Sequence, residues 1–72
     1  MNIPLLKSEM VAAQDTQAIL AEAMGLSLSR LNAKINGYQG AEFNQAEIAF
    51  LIKRYHLSAD KAQAIFFAEC VS

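Results

Sequence analysis

The stretch TQAILAEAMGLSLSRLNAKING, residues 16–37, decides how this chain folds. Its apolar residues recur three or four positions apart on both sides of Gly25, which is the spacing of amphipathic helices. Thr16 and Ser27 are favoured N-cap residues, and Gly25 suits a left-handed helix end. Residues 17–24 therefore form one short helix, and a second helix starts directly after Ser27.

The apolar positions of this stretch also predict how the two helices pack. Ala21 is small enough to allow a close helix crossing, and Leu31 and Ile35 can pack the later helix back against the earlier one. Asn36 and Gly37 are typical of a helix end. The spacing indicates a helix-turn-helix, for which a generic pair of antiparallel helices is the plainer alternative.

The flanking sequence predicts three more helices. The first runs from about Pro4 to Ala13, and the polar pair Gln14 and Asp15 forms its exit. Asn44 and Glu47 have the spacing of a capping box, so the fourth helix starts after Asn44. The fifth starts after Ser58. The inward-facing residues of these helices are predicted to be Leu6, Met10, Ala13, Ile48, Leu51, Ile52, Tyr55, Ala62, Ile65 and Phe66, and Val71 and Ser72 are expected to fray.

Length and composition favour one small all-α domain spanning residues 1–72. The chain has 72 residues, of which 54% are hydrophobic, with only three glycines and one proline. Cys70 is the single cysteine and has no internal partner, which suits a reducing cytoplasm. No apolar run is long enough for a membrane span. The net charge of −1 means that any DNA binding must depend on a local patch.

The motif TQ..LAE..G.S...L...ING resembles the phage repressor and Cro-type helix-turn-helix family, also called XRE-like. The resemblance runs from Leu5 to Phe67, and LNAKING together with IFF is similar to small prophage Cro-like proteins or modulators of repression. It implies a compact five-helix lambda-repressor-like domain. It also implies a transcriptional regulator of the switch between lysogenic and lytic growth, which places its third helix in the major groove of operator DNA.

The resemblance also implies which residues of this chain contact DNA. Base edges would be met by Leu28, Ser29 and Ala33, and phosphates by Gln17, Arg30 and Asn36. Leu28 and Ala33 offer only methyl surface for thymine, so direct readout is thin. Arg30 and Asn32 are expected to supply the missing hydrogen bonds to the bases, and Lys34 is expected to reach a phosphate.

Several of these residues have a plainer interpretation. Arg30 and Lys34 fit a solvated helix face, and Asn36 fits a left-handed helix end. On a helical wheel Leu28 lies about 60° from Leu31 and about 20° from Ile35, so it either extends the core or is exposed toward a protein partner. One or both of Phe50 and Phe67 are expected to be partly exposed, whereas Lys53 and Arg54 are expected to lie on a solvated face.

Two functions of different classes remain open. One is operator DNA binding as a homodimer or with a partner. The other is an antirepressor or modulator that binds a partner phage repressor and alters its DNA binding. Catalysis is not expected, because Cys70 and His56 lack an orienting group and so small a core has little room for a pocket. We also expect no metal, cofactor, small-molecule substrate or membrane partner.

Overall fold

The structure is a computed structural model that describes residues 1–67, and within that range it consists of helices and connecting turns without any strand. The α-helices are α1 (Ile3–Ala12), α2 (Gln17–Met24), α3 (Leu28–Asn36), α4 (Gln45–Arg54) and α5 (Ala59–Phe66). A 3₁₀ turn, Tyr38–Gly40, lies between α3 and α4. None of the helices in this range is both long and apolar enough to cross a membrane.

Local capping determines where each helix begins. Each α-helix starts with a side chain that accepts a hydrogen bond from a backbone N–H three residues on. The predicted capping box is present, because Asn44 Oδ1 accepts from the Glu47 N–H at 2.8 Å and Glu47 Oε1 accepts from the Asn44 N–H at 2.9 Å. The caps are Asn2, Thr16, Ser27, Asn44 and Ser58, of which only Asn2 was not foreseen from the sequence.

Each of the helices α1 to α4 is followed by a residue in the left-handed region. Gly25 has φ 71° and ψ 26°, and the Leu26 N–H donates to the Ala21 carbonyl at 2.9 Å, which is a Schellman ending. Gln14 and His56 take the same conformation after α1 and α4, at φ 59° and 51°, although neither is glycine. Both helices end in the same backbone hydrogen bond, from the Asp15 N–H to the Met10 carbonyl at 2.8 Å and from the Leu57 N–H to the Ile52 carbonyl at 3.0 Å, although a Cβ is strained in that region.

The core lies where the five helices meet. Every α-helix contributes buried apolar side chains to one cluster. Ile48, Ile52 and Phe66, which were expected inside, are only partly buried but pack against it, as does Met24. Ala13 is exposed, contrary to the prediction, because α1 ends at Ala12 and the chain turns away. The buried cluster consists of Leu6, Met10, Leu20, Ala21, Leu31, Ile35, Phe43, Leu51, Tyr55, Leu57, Ala62 and Ile65.

A polar cluster joins the α1–α2 turn to the end of α4. Arg54 donates from Nε and Nη2 to the two Asp15 oxygens at 2.7 and 2.9 Å, and the Tyr55 hydroxyl donates to Asp15 Oδ2 at 2.7 Å. The Arg54 hydrogen bonds hold the pKa of Asp15 below its ordinary value. The expectation that Arg54 is solvated was wrong: its guanidinium holds two segments together that are distant in sequence.

Candidate nucleic-acid interface

Helices α2 and α3 form a helix-turn-helix. Only Gly25, Leu26 and Ser27 separate them, and the two helices pack against each other. Ala21 is buried on α2, and Leu31 and Ile35 are fully buried on α3, so the inner face of α3 is fixed to the core. The predicted packing of this motif is therefore confirmed.

The first turn of α3 is open to solvent. The Arg30 N–H donates to Ser27 Oγ at 3.2 Å, which fixes the backbone at this helix start. The side chains that follow the cap, Leu28, Ser29 and Arg30, are all exposed. Leu28 is 51% exposed, so of the two alternatives that the helical wheel left open, the exposed one is correct and Leu28 is not a core residue. The first turn of α3 is thus capped by Ser27 and exposes its side chains to solvent.

The remaining residues predicted to contact DNA are less exposed than those of the first turn. Asn32 and Ala33 are half-buried, as is Gln17 at the first position of α2. Asn36 Nδ2 donates to both the carbonyl and Oδ1 of Asn32, at 2.9 and 2.7 Å. Asn36 is the last helical residue, and Gly37 takes the left-handed conformation with φ 69°, so a left-handed Asn36 was the wrong interpretation. An Asn36 contact to DNA would have to replace its contacts to Asn32.

Lys34 lies in an ion pair with α4. Its Nζ donates to Glu47 Oε1 and Oε2 at 2.7 and 2.8 Å, and the two side chains are only 13% and 16% exposed. Burial by itself raises the pKa of Glu47. Hydrogen bonds from Lys34 and the Asn44 backbone, with the charge of Arg30, more than offset that effect and leave the pKa below its ordinary value. Lys34 is thus paired with Glu47 and is not on a solvated face.

Few cations remain outside ion pairs. Lys34, Arg54 and Lys61 pair with Glu47, Asp15 and Glu9 respectively. For residues 1–67 this leaves Lys7, Arg30 and Lys53 as lysine or arginine side chains without an ion-pair partner, and only Arg30 lies on α3. The positive charge of the helix-turn-helix is therefore concentrated at the exposed first turn.

The ion pair of Glu47 with Lys34 was not foreseen from the sequence. The capping box predicted that its carboxylate would bond to the Asn44 backbone, which is correct. Nothing in the local pattern predicted that the same carboxylate would bind Lys34, thirteen residues earlier. This pairing needs the loop to bring the start of α4 beside α3, which is a tertiary effect.

Exposed apolar side chains also occur outside α3. Phe50 and Phe67 are 36% and 60% exposed, which confirms the expectation of partial exposure. Val11, Ile19 and Tyr38 are exposed as well and were not singled out from the sequence. Exposed aromatic side chains of this kind are common at protein interfaces.

An open groove lies between the end of α3, the loop that precedes α4, and the end of α5. Its volume is about 520 Å³, so the expectation that this chain has little room for a pocket was wrong. The charged side chains that line it are Lys34 and Glu42, and no histidine or cysteine is among its lining residues within the described range. His56 is exposed after α4, and Cys70 lies outside the described residues. Residues 1–67 bring no three potential metal ligands together.

Comparisons with known proteins give no relative from which a function of this interface could be inferred. No protein-family model, curated protein or solved structure matches the chain. The similarity to the phage repressor family therefore stays a prediction from the sequence motif.

Proposed function

We propose that this chain is a DNA-binding transcriptional regulator that contacts operator DNA through α3. The observation that supports this best is the exposed first turn of a short helix whose opposite face is fixed in the core of a helix-turn-helix. In such motifs the residues at the start of the second helix reach base edges in the major groove. A capped helix start whose side chains are exposed to solvent meets that requirement.

The exposed side chains suggest how DNA would be contacted. Arg30 is suited to guanine O6 and N7 or to a phosphate, and Ser29 can donate or accept a hydrogen bond at a base edge. Leu28 supplies an apolar contact for a thymine methyl group. Gln17 lies at the start of α2, where backbone N–H groups without helical partners favour a phosphate. Base readout by so few groups is limited, so we propose that binding requires two subunits or a partner.

The biological setting comes from the sequence resemblance. We place the protein in the cytoplasm of a bacterial host, as a small phage or prophage regulator of the switch between lysogenic and lytic growth. Two copies, or one copy and a partner, would bind half-sites about one helical turn apart. The proposal involves no catalytic step, metal or cofactor.

A salt-dependent titration tests the proposal. Labelled duplexes covering the chain's own regulatory region are titrated with the protein at about 50 and 200 mM salt. Binding should weaken steeply with salt, because phosphate contacts release counterions. Arg30→Ala should weaken binding by roughly 1 to 3 kcal/mol if Arg30 contacts a base.

The matched control for Arg30→Ala is Lys53→Ala, which removes one exposed cation from α4. Equal losses in the two variants would indicate a general charge effect and would count against α3 as the reading helix. Binding that does not respond to salt would contradict operator recognition by this chain.

The exposure of Leu28 favours a second candidate function, capture of a partner phage repressor. A large apolar side chain that is half exposed in the first turn of α3 is better suited to a protein surface than to a phosphate backbone. The ion pair of Lys34 with Glu47 and the net charge of −1 point in the same direction. In this mode α3 would bind the partner and block or alter the partner's own DNA binding.

Leu28→Glu distinguishes this second candidate. The variant should lose capture of the neighbouring repressor while its helical circular dichroism signal stays intact, because Leu28 adds little to the core. Phe50→Glu is the matched control, since it places the same charge at another exposed apolar position. Unchanged capture by Leu28→Glu would remove α3 from the protein interface.

A further inference from the structure

Glu47 forms an ion pair with Lys34, one of the two cations of α3. Its carboxylate accepts two hydrogen bonds from Lys34 Nζ, at 2.7 and 2.8 Å. Arg30 is one helical turn from Lys34 and is close enough to act on Glu47 through its charge. Among the described acidic residues, Glu47 is the one that the structure joins to α3 by a salt bridge. An acidic side chain from α4 therefore offsets the positive charge of the helix proposed to bind DNA.

This arrangement lowers the attraction of α3 for a phosphate group. A phosphate that bound Lys34 would have to displace a carboxylate that already accepts two short hydrogen bonds from the Lys34 Nζ. The carboxylate is also held in place from its own side, because Oε1 accepts from the Asn44 N–H at 2.9 Å. Glu47 cannot turn away from Lys34 without giving up the capping box. The ion pair is thus anchored to the start of α4 and is not a mobile surface contact.

From this geometry we infer that Glu47 restrains the DNA affinity of α3 by withholding Lys34 from the phosphate backbone. The inference rests on the proposed DNA-binding function. Its consequence is that sequence-independent binding is weak in the protein as it stands, since phosphate contacts supply most of that binding. Base contacts and a second subunit then decide where the protein binds, which raises the ratio of specific to non-specific affinity.

Glu47→Gln separates this restraint from the structural role of the residue. Glutamine at the third position of a helix maintains a capping box, so the start of α4 is preserved. The variant removes only the negative charge. Asp60→Asn makes the same change in net charge at an exposed position in the first turn of α5 and serves as the matched control. The double variant Glu47→Gln with Lys34→Gln tests whether any gain comes through Lys34.

The experiment titrates these proteins and the wild type against a 20-base-pair duplex of arbitrary sequence. Fluorescence anisotropy is recorded from about 50 to 200 mM salt, and a circular dichroism melt checks that each variant is folded. Glu47→Gln should bind on the order of tenfold more tightly at 50 mM salt, and its salt slope should be steeper by about 0.9, the value for one added phosphate contact. Asp60→Asn should stay within about twofold of the wild type, and the double variant should lose the gain.

The results of this titration distinguish a failure of the inference about Glu47 from a failure of the proposed function. If the wild type binds and Glu47→Gln binds no better than Asp60→Asn, the inference is wrong while the proposed function stands. If the double variant keeps the full gain, the restraint does not act through Lys34 and the inference is again wrong. If none of the folded proteins binds the duplex at 50 mM salt, the proposed DNA-binding function fails and the inference fails with it.

Discussion

Replacing Asp15 with asparagine should destabilise the protein by disrupting the cluster with Arg54 and Tyr55. The two Asp15 oxygens accept three hydrogen bonds, of 2.7, 2.9 and 2.7 Å. Whichever oxygen becomes an amide nitrogen, an Arg54 N–H donor then faces another donor. The Asp15 side chain is only 8% exposed, so water cannot easily take over the lost contacts.

The size of the effect follows from these contacts. A hydrogen bond to a charged group is worth about 1.5 to 3 kcal/mol. Because the Arg54 side chain is 29% exposed and solvent screens part of the pair, we expect a loss of about 2 kcal/mol. The total free energy of unfolding of a 72-residue chain is roughly 4 to 11 kcal/mol. The melting temperature of Asp15→Asn should therefore fall by about 8 to 16 °C.

The same cluster predicts a pH dependence of stability. The folded pKa of Asp15 lies below its ordinary value of 3.8, so the carboxylate stabilises the fold above that pH. This stabilisation is lost as the pH falls from there through the folded pKa. The wild type should thus lose stability on acidification, and Asp15→Asn should lose less because it has no carboxylate at this position.

Urea unfolding followed by circular dichroism measures both effects. The series runs at pH 7 and at lower pH, with Asp60→Asn as a control at an exposed position. Tyr55→Phe removes only the hydroxyl and should cost about 1 kcal/mol. An Asp15→Asn variant within about 0.5 kcal/mol of the wild type at pH 7, with an unchanged acid dependence, would show that this cluster does not stabilise the fold.

Two other substitutions test the packing and the helix ends. His56→Gly should stabilise the protein by about 1 kcal/mol, because glycine relieves the left-handed backbone at φ 51°; a melting temperature equal to that of the wild type would show that this backbone is not strained. Leu31→Ala should cost about 2 to 5 kcal/mol, because Leu31 is fully buried where α2 and α3 meet. Urea unfolding measures that loss, and a cost below about 1 kcal/mol would contradict the packing described for the helix-turn-helix.

Short-range signals in the sequence were sufficient to predict the starts of α2 to α5 and the main turn. The side chains that cap α2 to α5 accept hydrogen bonds from N–H groups three residues away, so their role can be predicted from the adjacent sequence. These caps are Thr16, Ser27, Asn44 and Ser58. Gly25 likewise ends α2 through local backbone geometry. Apolar spacing then placed the inner faces of the helices, because a core needs side chains on one side of each helix.

Other features depend on contacts between distant segments and were not predictable. Asp15 and Arg54 are 39 residues apart, and nothing near either residue indicates the other. The pairing of Lys34 with Glu47 has the same origin and changes the interpretation of the candidate site. The exposure of Leu28 could not be settled by a helical wheel, since the wheel gives direction but not which elements cover the first turn. The 3₁₀ turn at Tyr38–Gly40, with Gln39 at φ 54°, was also missed.

The proposed function requires that the first turn of α3 contacts DNA. The most direct test is a nitrogen-15 NMR titration of the full chain with duplex DNA from its regulatory region, in which each backbone amide reports its own environment. The proposal predicts that the largest shift changes fall on Leu28, Ser29 and Arg30, with smaller changes at Gln17. An unchanged spectrum, or changes confined to surfaces away from α2 and α3, would contradict it.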